Sequence, residues 1–244
     1  GPQVAPPHAT SGAPAPGPST APVACSLVIT VLAGGVGAAR FLSGLLGVVA
    51  ADEVTAVVNV GDDTVLHGLH ISPDLDTITY TLAGAINPET GWGLAGETWQ
   101  AMEALERYDG LTWFRLGDKD LATHLYRTHR LDQGATLSEV TAEITAAWAL
   151  GLHVLPVTDD PVRTHVTATV GGGVHDLSFQ EYFVQHHHEV PVSEVRIEGA
   201  EDAVAAEGVV GAIGSAEVVV IAPSNPIVSI GPVLAVPGVR EAVA

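Results

Sequence analysis

The chain is poor in cysteine and in basic residues. Cys25 is the single cysteine of the 244 residues, which excludes an intramolecular disulfide, and no redox motif surrounds it. There are 9 lysines and arginines against 28 aspartates and glutamates, so the formal net charge is −19, and Lys119 is the only lysine. Such an acidic surface repels nucleic-acid backbones and anionic membranes, and we expect neither as a partner.

Long apolar runs are also missing. None reaches the length that spans a bilayer, and no basic segment followed by an apolar one marks a secretory signal. We therefore expect a soluble, cytoplasmic protein. Hydrophobic residues still make up 47% of the chain, enough for the core of one sizeable α/β domain. Residues 1–24 are rich in Pro, Ala, Gly, Ser and Thr without periodicity, and we expect them to form a disordered leader.

Short apolar runs alternate with helical patterns through residues 25–244. Leu27–Leu32, Val54–Val60 and Val218–Ala222 predict buried strands. Three successive helical patterns occupy about residues 97–150 without a strand between them. These patterns are Thr98–Arg107, Lys119–Arg130 and Leu137–Leu150. The order predicts one Rossmann-like α/β domain, with an open, mostly parallel sheet and an inserted helical lobe.

Further strands follow the helical lobe. His153–Thr158, Arg163–Val170 and Leu177–Val184 have the composition of strands, and Gly171–Gly173 predicts a hairpin turn between the last two. The segment Asp202–Ile213 predicts a helix.

A glycine-rich turn joins the first predicted strand to a helix. Gly34, Gly35 and Gly37 lie where backbone N–H groups and the positive end of a helix receive an anion, and Arg40 in the first turn is a natural phosphate partner. The dinucleotide fingerprint needs glycine at position 40, and a P-loop needs Gly-Lys-Ser/Thr, so neither motif is present. A phosphate cradle and a plain tight turn both remain open for this segment.

Four aspartates follow the second predicted strand. Asp62 and Asp63 come directly after its carboxyl end, where open α/β sheets bind ligands. Ser72-Pro73 predicts a helix start, with Ser as N-cap and Pro at the first position, which puts Asp74 and Asp76 in the first turn. Turn chemistry or the helix dipole explains any single aspartate. Two pairs converging from two elements favour a site for a hard cation such as magnesium.

The histidines do not complete a metal site of their own. His67 and His70 lie in the acidic stretch, but histidine prefers softer metals and no zinc set surrounds them, so we interpret them as loop or packing residues. The run His186–His188 would point its side chains alternately to opposite faces of an extended chain. We interpret it as a solvated loop that binds nickel or zinc only adventitiously.

The last predicted strand opens into a loop rich in serine and asparagine. Ser224, Asn225 and Ser229 lie in this loop, again at the carboxyl end of a strand. Aromatic residues of the helical lobe are interpreted as packing residues, although one of them could stack on a flat ligand. They are Trp99, Trp113, Phe114 and Trp148.

Three segments, in this order, resemble one protein family. They are Ala33–Arg40, Asn59–Thr77 with its Asn-x-Gly-Asp-Asp and Pro-Asp-Leu-Asp-Thr motifs, and Ser224–Ile230. The supporting segments are Gly91–Thr98, Leu116–His124, Pro156–Asp160 and Phe179–Val184. From residue 27 onward the chain is similar to the 2-phospho-L-lactate transferase family of coenzyme F-420 biosynthesis, most of all to its actinobacterial branch.

The resemblance implies a magnesium-dependent transferase that is a homodimer. Such an enzyme moves a phosphoenolpyruvyl or 2-phospho-L-lactyl group from a guanosine diphosphate-activated donor to 7,8-didemethyl-8-hydroxy-5-deazariboflavin, and it releases GMP. The actinobacterial branch implies the enolpyruvyl donor, but the sequence carries no readable rule for the three-carbon acid. The general base is left unassigned.

The resemblance also implies roles for individual residues. Asp62 and Asp74 are expected to bind Mg²⁺, with Asp63 and Asp76 beside them, and Asp62, Asp63 and Asp74 form the expected catalytic centre. The residues expected to bind the donor are Gly34, Gly35, Gly37, Arg40, Thr98, Ser224, Asn225 and Ser229.

The chain departs from the family pattern in two places. Leu94–Gly96 lacks a basic residue that the family often carries, which puts one contact to the deazaflavin or the donor in question. The sequence ends at Ala244, and we expect a C-terminal part of the family's domain to be lacking.

Two other functions compete with the transferase. A nucleotide-sugar-binding regulatory protein of the same fold shares the glycine-rich and Ser-Asn-Pro loops, but it has no need for the acidic set. A nicotinamide-dependent dehydrogenase is disfavoured by Arg40, which occupies the third glycine position of the fingerprint.

Overall fold

A computed structural model describes residues 27–244. The predicted leader, residues 1–24, lies outside the described residues, as does Cys25. The strands are β1 (Ile29–Ala33), β2 (Val54–Val58), β3 (Thr64–Leu66), β4 (Leu69–Ile71), β5 (His153–Pro156), β6 (Arg163–Val170), β7 (Gly173–Ser178), β8 (Val192–Glu198) and β9 (Val218–Ile221). The helices are α1 (Gly35–Leu45), α2 (Pro73–Leu82), α3 (Gln100–Leu105), α4 (Asp120–Asp132), α5 (Leu137–Ala147), α6 (Val209–Ser215), α7 (Ile230–Ala235) and α8 (Val239–Val243).

The central sheet has four parallel strands in the order β5-β2-β1-β9. All five residues of β1 are buried, as a β-branched and apolar run in the middle of a parallel sheet requires. Val31 pairs with Ala56 on one side and with Val220 on the other. Apolar residues of the flanking helices complete the core around these strands. The predicted α/β class with a mostly parallel sheet is confirmed.

Strands β1, β2 and β9 end at the same edge of the sheet. Gly34 follows β1 and is the N-cap of α1, so the chain turns directly from strand to helix. The loop after β2 carries Asp62 and Asp63 and continues into the β3–β4 hairpin, which the sequence did not predict. Helix α2 then starts at Pro73 in its first position, as expected, with Asp74 and Asp76 in the first turn. The carboxyl ends of parallel strands are where open α/β sheets bind ligands.

The predicted N-cap of α2 needs one correction. Ser72 occupies the N-cap position, but its side chain makes no capping hydrogen bond. Its hydroxyl instead donates to Asp63 Oδ2 at 2.7 Å, a charge-assisted hydrogen bond to the acidic loop.

Helices α3, α4 and α5 occupy the residues for which the sequence predicts three helices. Two carboxylates fix the first two of them across the intervening loop. Asp118 accepts from the backbone N–H groups of Gln100 and Ala101 at the start of α3. Glu97 accepts from those of Lys119 and Asp120 at the start of α4. Each carboxylate satisfies donors that a helix N-terminus leaves free.

A second sheet contains three antiparallel strands in the order β7-β6-β8. Gly171 and Gly172 adopt positive φ and form the predicted hairpin turn. The predicted strand Leu177–Val184 is wrong, because β7 ends at Ser178 and the backbone turns into a short π-helix at Glu181–Gln185. Glu181 stabilises this turn by accepting from the backbone and the hydroxyl of Ser178.

The predicted helix Asp202–Ile213 starts later than expected. Turns occupy most of residues 200–208, and Gly208 (φ 88°) is the left-handed N-cap of α6. Between residues 27 and 244, none of the helices combines the length and the apolar character needed to cross a bilayer.

Candidate active site

A cavity of about 540 Å³ opens at the carboxyl edge of the central sheet. Its walls come from segments that are far apart in sequence: the loop after β1, the acidic stretch with the start of α2, and the loop after β9. Residues within 114–124 and 179–184 complete the lining. The volume is that of a typical small-molecule pocket.

The glycine-rich turn packs directly against the loop that follows β9. A β-carbon added at Gly37 would lie only 2.1 Å from the carbonyl oxygen of Pro223. One added at Gly34 would lie 2.8 Å from Cβ of Ser229. The Ser224 hydroxyl donates to the Gly34 carbonyl. The two loops predicted to bind the donor therefore form one continuous surface, and glycine is required because two backbones meet.

Asn225 shapes the loop after β9. Its side-chain oxygen accepts from the backbone N–H groups of Ile227 and Val228 at 2.9 and 3.2 Å. This turn brings Ser224, Asn225 and Ser229 to the cavity beside Gly34.

Asp62 and Asp74 line the cavity and are almost fully buried, at 7% and 6% exposure. Asp74 Oδ2 accepts from Asn59 Nδ2 at 2.9 Å. Burial raises the pKa of Asp74 to about 6, against the hydrogen bonds from Asn59 and the Gly35 backbone. Burial and then the charge of Asp74 raise the pKa of Asp62 well above its ordinary value. The two carboxylates are therefore close enough to repel each other, and neither forms an ion pair among the described residues.

Asp63 lies behind this pair. It is absent from the lining of the large cavity, but it lines a smaller neighbouring cavity of about 130 Å³ together with Asp62. Burial raises the pKa of Asp63 to about 7, although the Ser72 hydroxyl donates to it. Its Oδ1 atom and that of Asp62 are buried without a hydrogen-bond partner in the described part of the chain.

Asp76 differs from its neighbour Asp74, because a buried arginine neutralises it. Arg127 is only 2% exposed and forms a two-pronged ion pair with the Asp76 carboxylate. His124 Nδ1 lies 3.7 Å from Asp76 Oδ2, and His124 Nε2 lies 3.2 Å from Asp120 Oδ2. This network joins α2 to α4 and leaves Asp76 less available to a cation than Asp74.

The structure places two of the predicted donor-binding residues away from the cavity lining. Arg40 is exposed on α1, and its guanidinium lies beside Gly91. Thr98 donates to Asp118 next to the start of α3. His67 and His70 lie in the β3–β4 hairpin and do not line the cavity.

Five aromatic residues also line the cavity. They are Tyr80, Trp92, Phe114, Phe179 and Phe183. Of these five, only Phe114 is weighed from the sequence as a possible ligand contact, and it is interpreted there as a packing residue, because the five side chains come from four separate segments without a shared motif. Tyr80 also packs edge-on against Trp148, with ring centroids 5.6 Å apart. Among the residues that line the cavity, Arg115 is the single lysine or arginine, and its guanidinium lies 4.7 Å from the centre of the Trp99 ring.

The possible metal ligands in the cavity fit a hard divalent cation better than a transition metal. Within residues 27–244, no three His, Cys, Asp or Glu side chains are grouped to hold a metal by themselves. Magnesium typically takes one or two carboxylates, and water and ligand phosphates complete its octahedron. Asp62 and Asp74, with the unpartnered Oδ1 of Asp62, supply that number of ligands.

The fold and the cavity define an α/β protein in which a glycine-rich cradle lies beside two unpaired carboxylates. Residues 29–244 match the model of the family described as 2-phospho-L-lactate transferase CofD. The chain belongs to this family of transferases.

Relatives from actinobacteria support the same conclusion. The phosphoenolpyruvate transferase of Kitasatospora aureofaciens is 50% identical over 218 residues, which cover 88% of this chain and 68% of the relative. The phosphoenolpyruvate transferase of Mycobacterium tuberculosis strain H37Rv is 47% identical over 230 residues, which cover 88% and 70%. The resemblance to the actinobacterial branch is thus confirmed.

Solved structures support the fold. A crystal structure of a Bacillus halodurans protein superimposes with a TM-score of 0.60 at 20% identity, over 89% of this chain and 65% of that one. A second structure from that organism, described as a member of the upf0052 family, gives a TM-score of 0.59 at 18% identity over 88% and 65%. The chain therefore spans just under two thirds of the solved chains.

Proposed function

We propose that the protein transfers a phosphoenolpyruvyl group, or a 2-phospho-L-lactyl group, from a guanosine diphosphate-activated donor to 7,8-didemethyl-8-hydroxy-5-deazariboflavin, and that GMP is released. The observation that carries this proposal is a single cavity lined by two chemically different sets of residues. One set is the glycine-rich turn with Asp62 and Asp74, and the other is five aromatic side chains. Family membership and the names of the relatives support a transferase of a phosphoenolpyruvyl or 2-phospho-L-lactyl group.

The glycine-rich turn suits the diphosphate of the donor. Gly34, Gly35 and Gly37 present backbone at the start of α1, where N–H groups and the helix dipole favour an anion. The protein carries a net charge of −19, so its overall field opposes an anionic donor. A local cation is therefore needed, and we assign Mg²⁺ to Asp62 and Asp74. When bound, the ion would neutralise phosphate charge and orient the phosphate oxygens.

The aromatic side chains of the lining suit the flat ring of the acceptor. Aromatic faces bind a planar ring by stacking and by apolar contact. Asp120 and His124 line the same region with Tyr80, whose hydroxyl lies 2.7 Å from Asp120 Oδ1. These groups supply hydrogen-bonding partners for the polar edge of a deazaflavin. A ring held there would keep its ribityl chain in the same cavity as Asp62 and Asp74.

The reaction itself needs little covalent participation by the protein. The terminal ribityl hydroxyl forms a bond to the phosphorus that carries the three-carbon acid, and the bond from this phosphorus to the bridging oxygen breaks. GMP leaves with that oxygen, and the hydroxyl proton passes to solvent or to a nearby base. The cavity contributes alignment of the two substrates and neutralisation of charge, which are the main sources of catalysis in phosphoryl transfer.

The direct test is an assay with deazariboflavin, magnesium and each guanosine-activated donor, in which the products are identified by mass. A phosphodiester adduct of the deazaflavin together with GMP is the expected result, and the mass of the adduct names the three-carbon acid. If the donor binds but no adduct forms, the proposed transferase function would be wrong, and a nucleotide-binding regulatory function would take its place. Light scattering under the same conditions tests the homodimer that the family resemblance implies.

A further inference from the structure

Three rings form an aromatic stack beside the cavity: Phe179, Phe183 and His188. The centroids of Phe179 and Phe183 are 5.4 Å apart, with their planes at 20°. Those of Phe183 and His188 are 5.1 Å apart, also at 20°. Phe183 is thus the middle ring of the stack, and its contacts with two near-parallel rings restrict its rotation.

The stack connects the cavity to the surface loop that contains the three consecutive histidines. Phe179 and Phe183 line the cavity, and His188 lies outside it. Phe183 remains 48% exposed, although a large apolar ring gains free energy by burial. An exposed ring that is held in a fixed orientation at the mouth of a pocket is suited to contact a ligand.

The backbone around the stack is held in an unusual conformation. Phe183 belongs to the π-helical turn Glu181–Gln185, and such turns occur frequently at functional sites. His187 and His188 have φ values of 50° and 49°, in the left-handed region that is uncommon for residues other than glycine and that asparagine, aspartate and histidine adopt more often than most. The His188 N–H donates to the Tyr182 carbonyl at 3.0 Å and so holds the imidazole against Phe183.

We propose that His188 is a positioning residue for the acceptor, because it holds Phe183 in the orientation that contacts a flat aromatic ring in the cavity. This inference rests on the proposed function and adds a residue from outside the cavity to the acceptor site. It also gives one of the three histidines a role that does not involve a metal. The stacking ring carries the effect, so another aromatic side chain should replace the imidazole.

The test compares three single variants of the full chain. His188→Asn removes the ring and keeps a side chain that tolerates the left-handed backbone. His188→Phe keeps a ring at the same place. His187→Asn is the matched control, since His187 has the same backbone conformation but takes no part in the stack. Circular dichroism melting establishes that all three variants fold.

The measured quantities are the affinity for 7,8-didemethyl-8-hydroxy-5-deazariboflavin, followed by its fluorescence, and the affinity for GDP with magnesium. We expect His188→Asn to bind the deazaflavin about fivefold more weakly, as the loss of one aromatic contact predicts. His188→Phe and His187→Asn should bind it as the wild type does, and GDP affinity should be unchanged throughout. In turnover, the KM for the acceptor should rise while kcat and the KM for the donor stay constant.

Equal deazaflavin affinity in the wild type and in His188→Asn would overturn the role of His188 and leave the proposed function intact. Weak binding by both His188→Asn and His188→Phe would also overturn it, because the ring would then not be what matters. A wild-type chain that binds GDP but not the deazaflavin would overturn this inference together with the proposed function.

Discussion

Asp74 and Asp76 lie two residues apart in the first turn of α2, and they are buried to the same extent, at 6% and 5% exposure. Their partners differ. Asp74 accepts hydrogen bonds from the neutral Asn59 amide and the Gly35 backbone, whereas Asp76 is paired with the cation of Arg127. One buried carboxylate thus has its charge neutralised by the protein, and the other does not.

The difference shows how burial alone fails to identify a site. A buried charge without a counter-ion is costly, and it persists where a ligand supplies the missing charge. Asp62 and Asp74 meet that description, so they are the residues we assign to a cation. Asp76 and Arg127 instead stabilise the contact between α2 and α4. We therefore expect a substitution at Arg127 to lower mainly stability, and a substitution at Asp74 to lower mainly activity.

The largest effect on stability is expected for Arg127→Met. The change leaves the Asp76 charge buried without its main partner, and breaking a buried ion pair costs about 3–5 kcal/mol. Urea unfolding measures the loss. The double variant Arg127→Met with Asp76→Leu should recover most of it, because an apolar pair of similar volume replaces the charges. A loss below about 1 kcal/mol in the single variant would show that Asp76 does not depend on Arg127.

Asp74→Asn should have the converse effect. We expect nearly unchanged stability without metal, because a neutral amide replaces a carboxylate that has no counter-ion. Magnesium-dependent turnover should fall about a hundredfold or more, as when a preorganised charge-stabilising group is removed from an active site. The increase in melting temperature on adding magnesium and GDP should also be lost, which gives a readout independent of activity. Full magnesium response in this variant would exclude Asp74 as a ligand.

The carboxylates without a counter-ion should make stability depend on pH. Burial raises the pKa of Asp63 from 3.8 to about 7 and that of Asp74 to about 6. Between these values and the unfolded pKa, the folded protein binds more protons than the unfolded chain, so stability falls as the pH rises. We expect a loss of several kcal/mol from about pH 4 to pH 7 in metal-free buffer, because each unit of pKa shift corresponds to about 1.4 kcal/mol. Urea unfolding across this range checks the sign.

A single variant and a metal titration test the cause of this pH dependence of stability. Asp63→Asn should flatten the dependence, since one of the titrating groups is removed. Magnesium with GDP should oppose the loss above pH 6, because the cation favours the ionised carboxylates. Stability that rises steadily from pH 4 to pH 7 would contradict the assignment of these aspartates as unpaired.

The smallest effect is expected for an exposed ion pair. Arg130 Nη2 lies 2.7 Å from Glu143 Oε1, and both side chains are partly open to solvent. Water screens such a pair, so Glu143→Gln should shift the melting temperature by only about 1–2 °C. A shift as large as that of Arg127→Met would mean that burial does not separate the two pairs.

The sequence predicted the part of the cavity lining that comes from local sequence patterns. Strand, glycine turn and helix follow one another within residues 29–45, and Pro73 marks the start of α2, so the positions of Gly34 and Asp74 could be read directly. The cavity lining brings these residues together with Ser224 and Asn225 because β1 and β9 are neighbours in the sheet.

The aromatic part of the lining could not be predicted in the same way. Phe114 and Phe183 come from segments that meet only in the tertiary structure, and each looks like a packing residue in its own stretch of sequence. The π-helical turn after β7 replaces the strand predicted there, because Glu181 folds back onto Ser178. The partner of Asp76 was missed for the same reason, since Arg127 is 51 residues away in the chain.

The contact between Gly37 and Pro223 has a consequence for motion. With 2.1 Å between the place of a β-carbon and a carbonyl oxygen, no side chain separates α1 from the loop after β9, and we expect the two backbones to move together. Adjustment of the cavity during a catalytic cycle would then fall to lining segments outside these two loops. We expect the donor to meet a preformed surface.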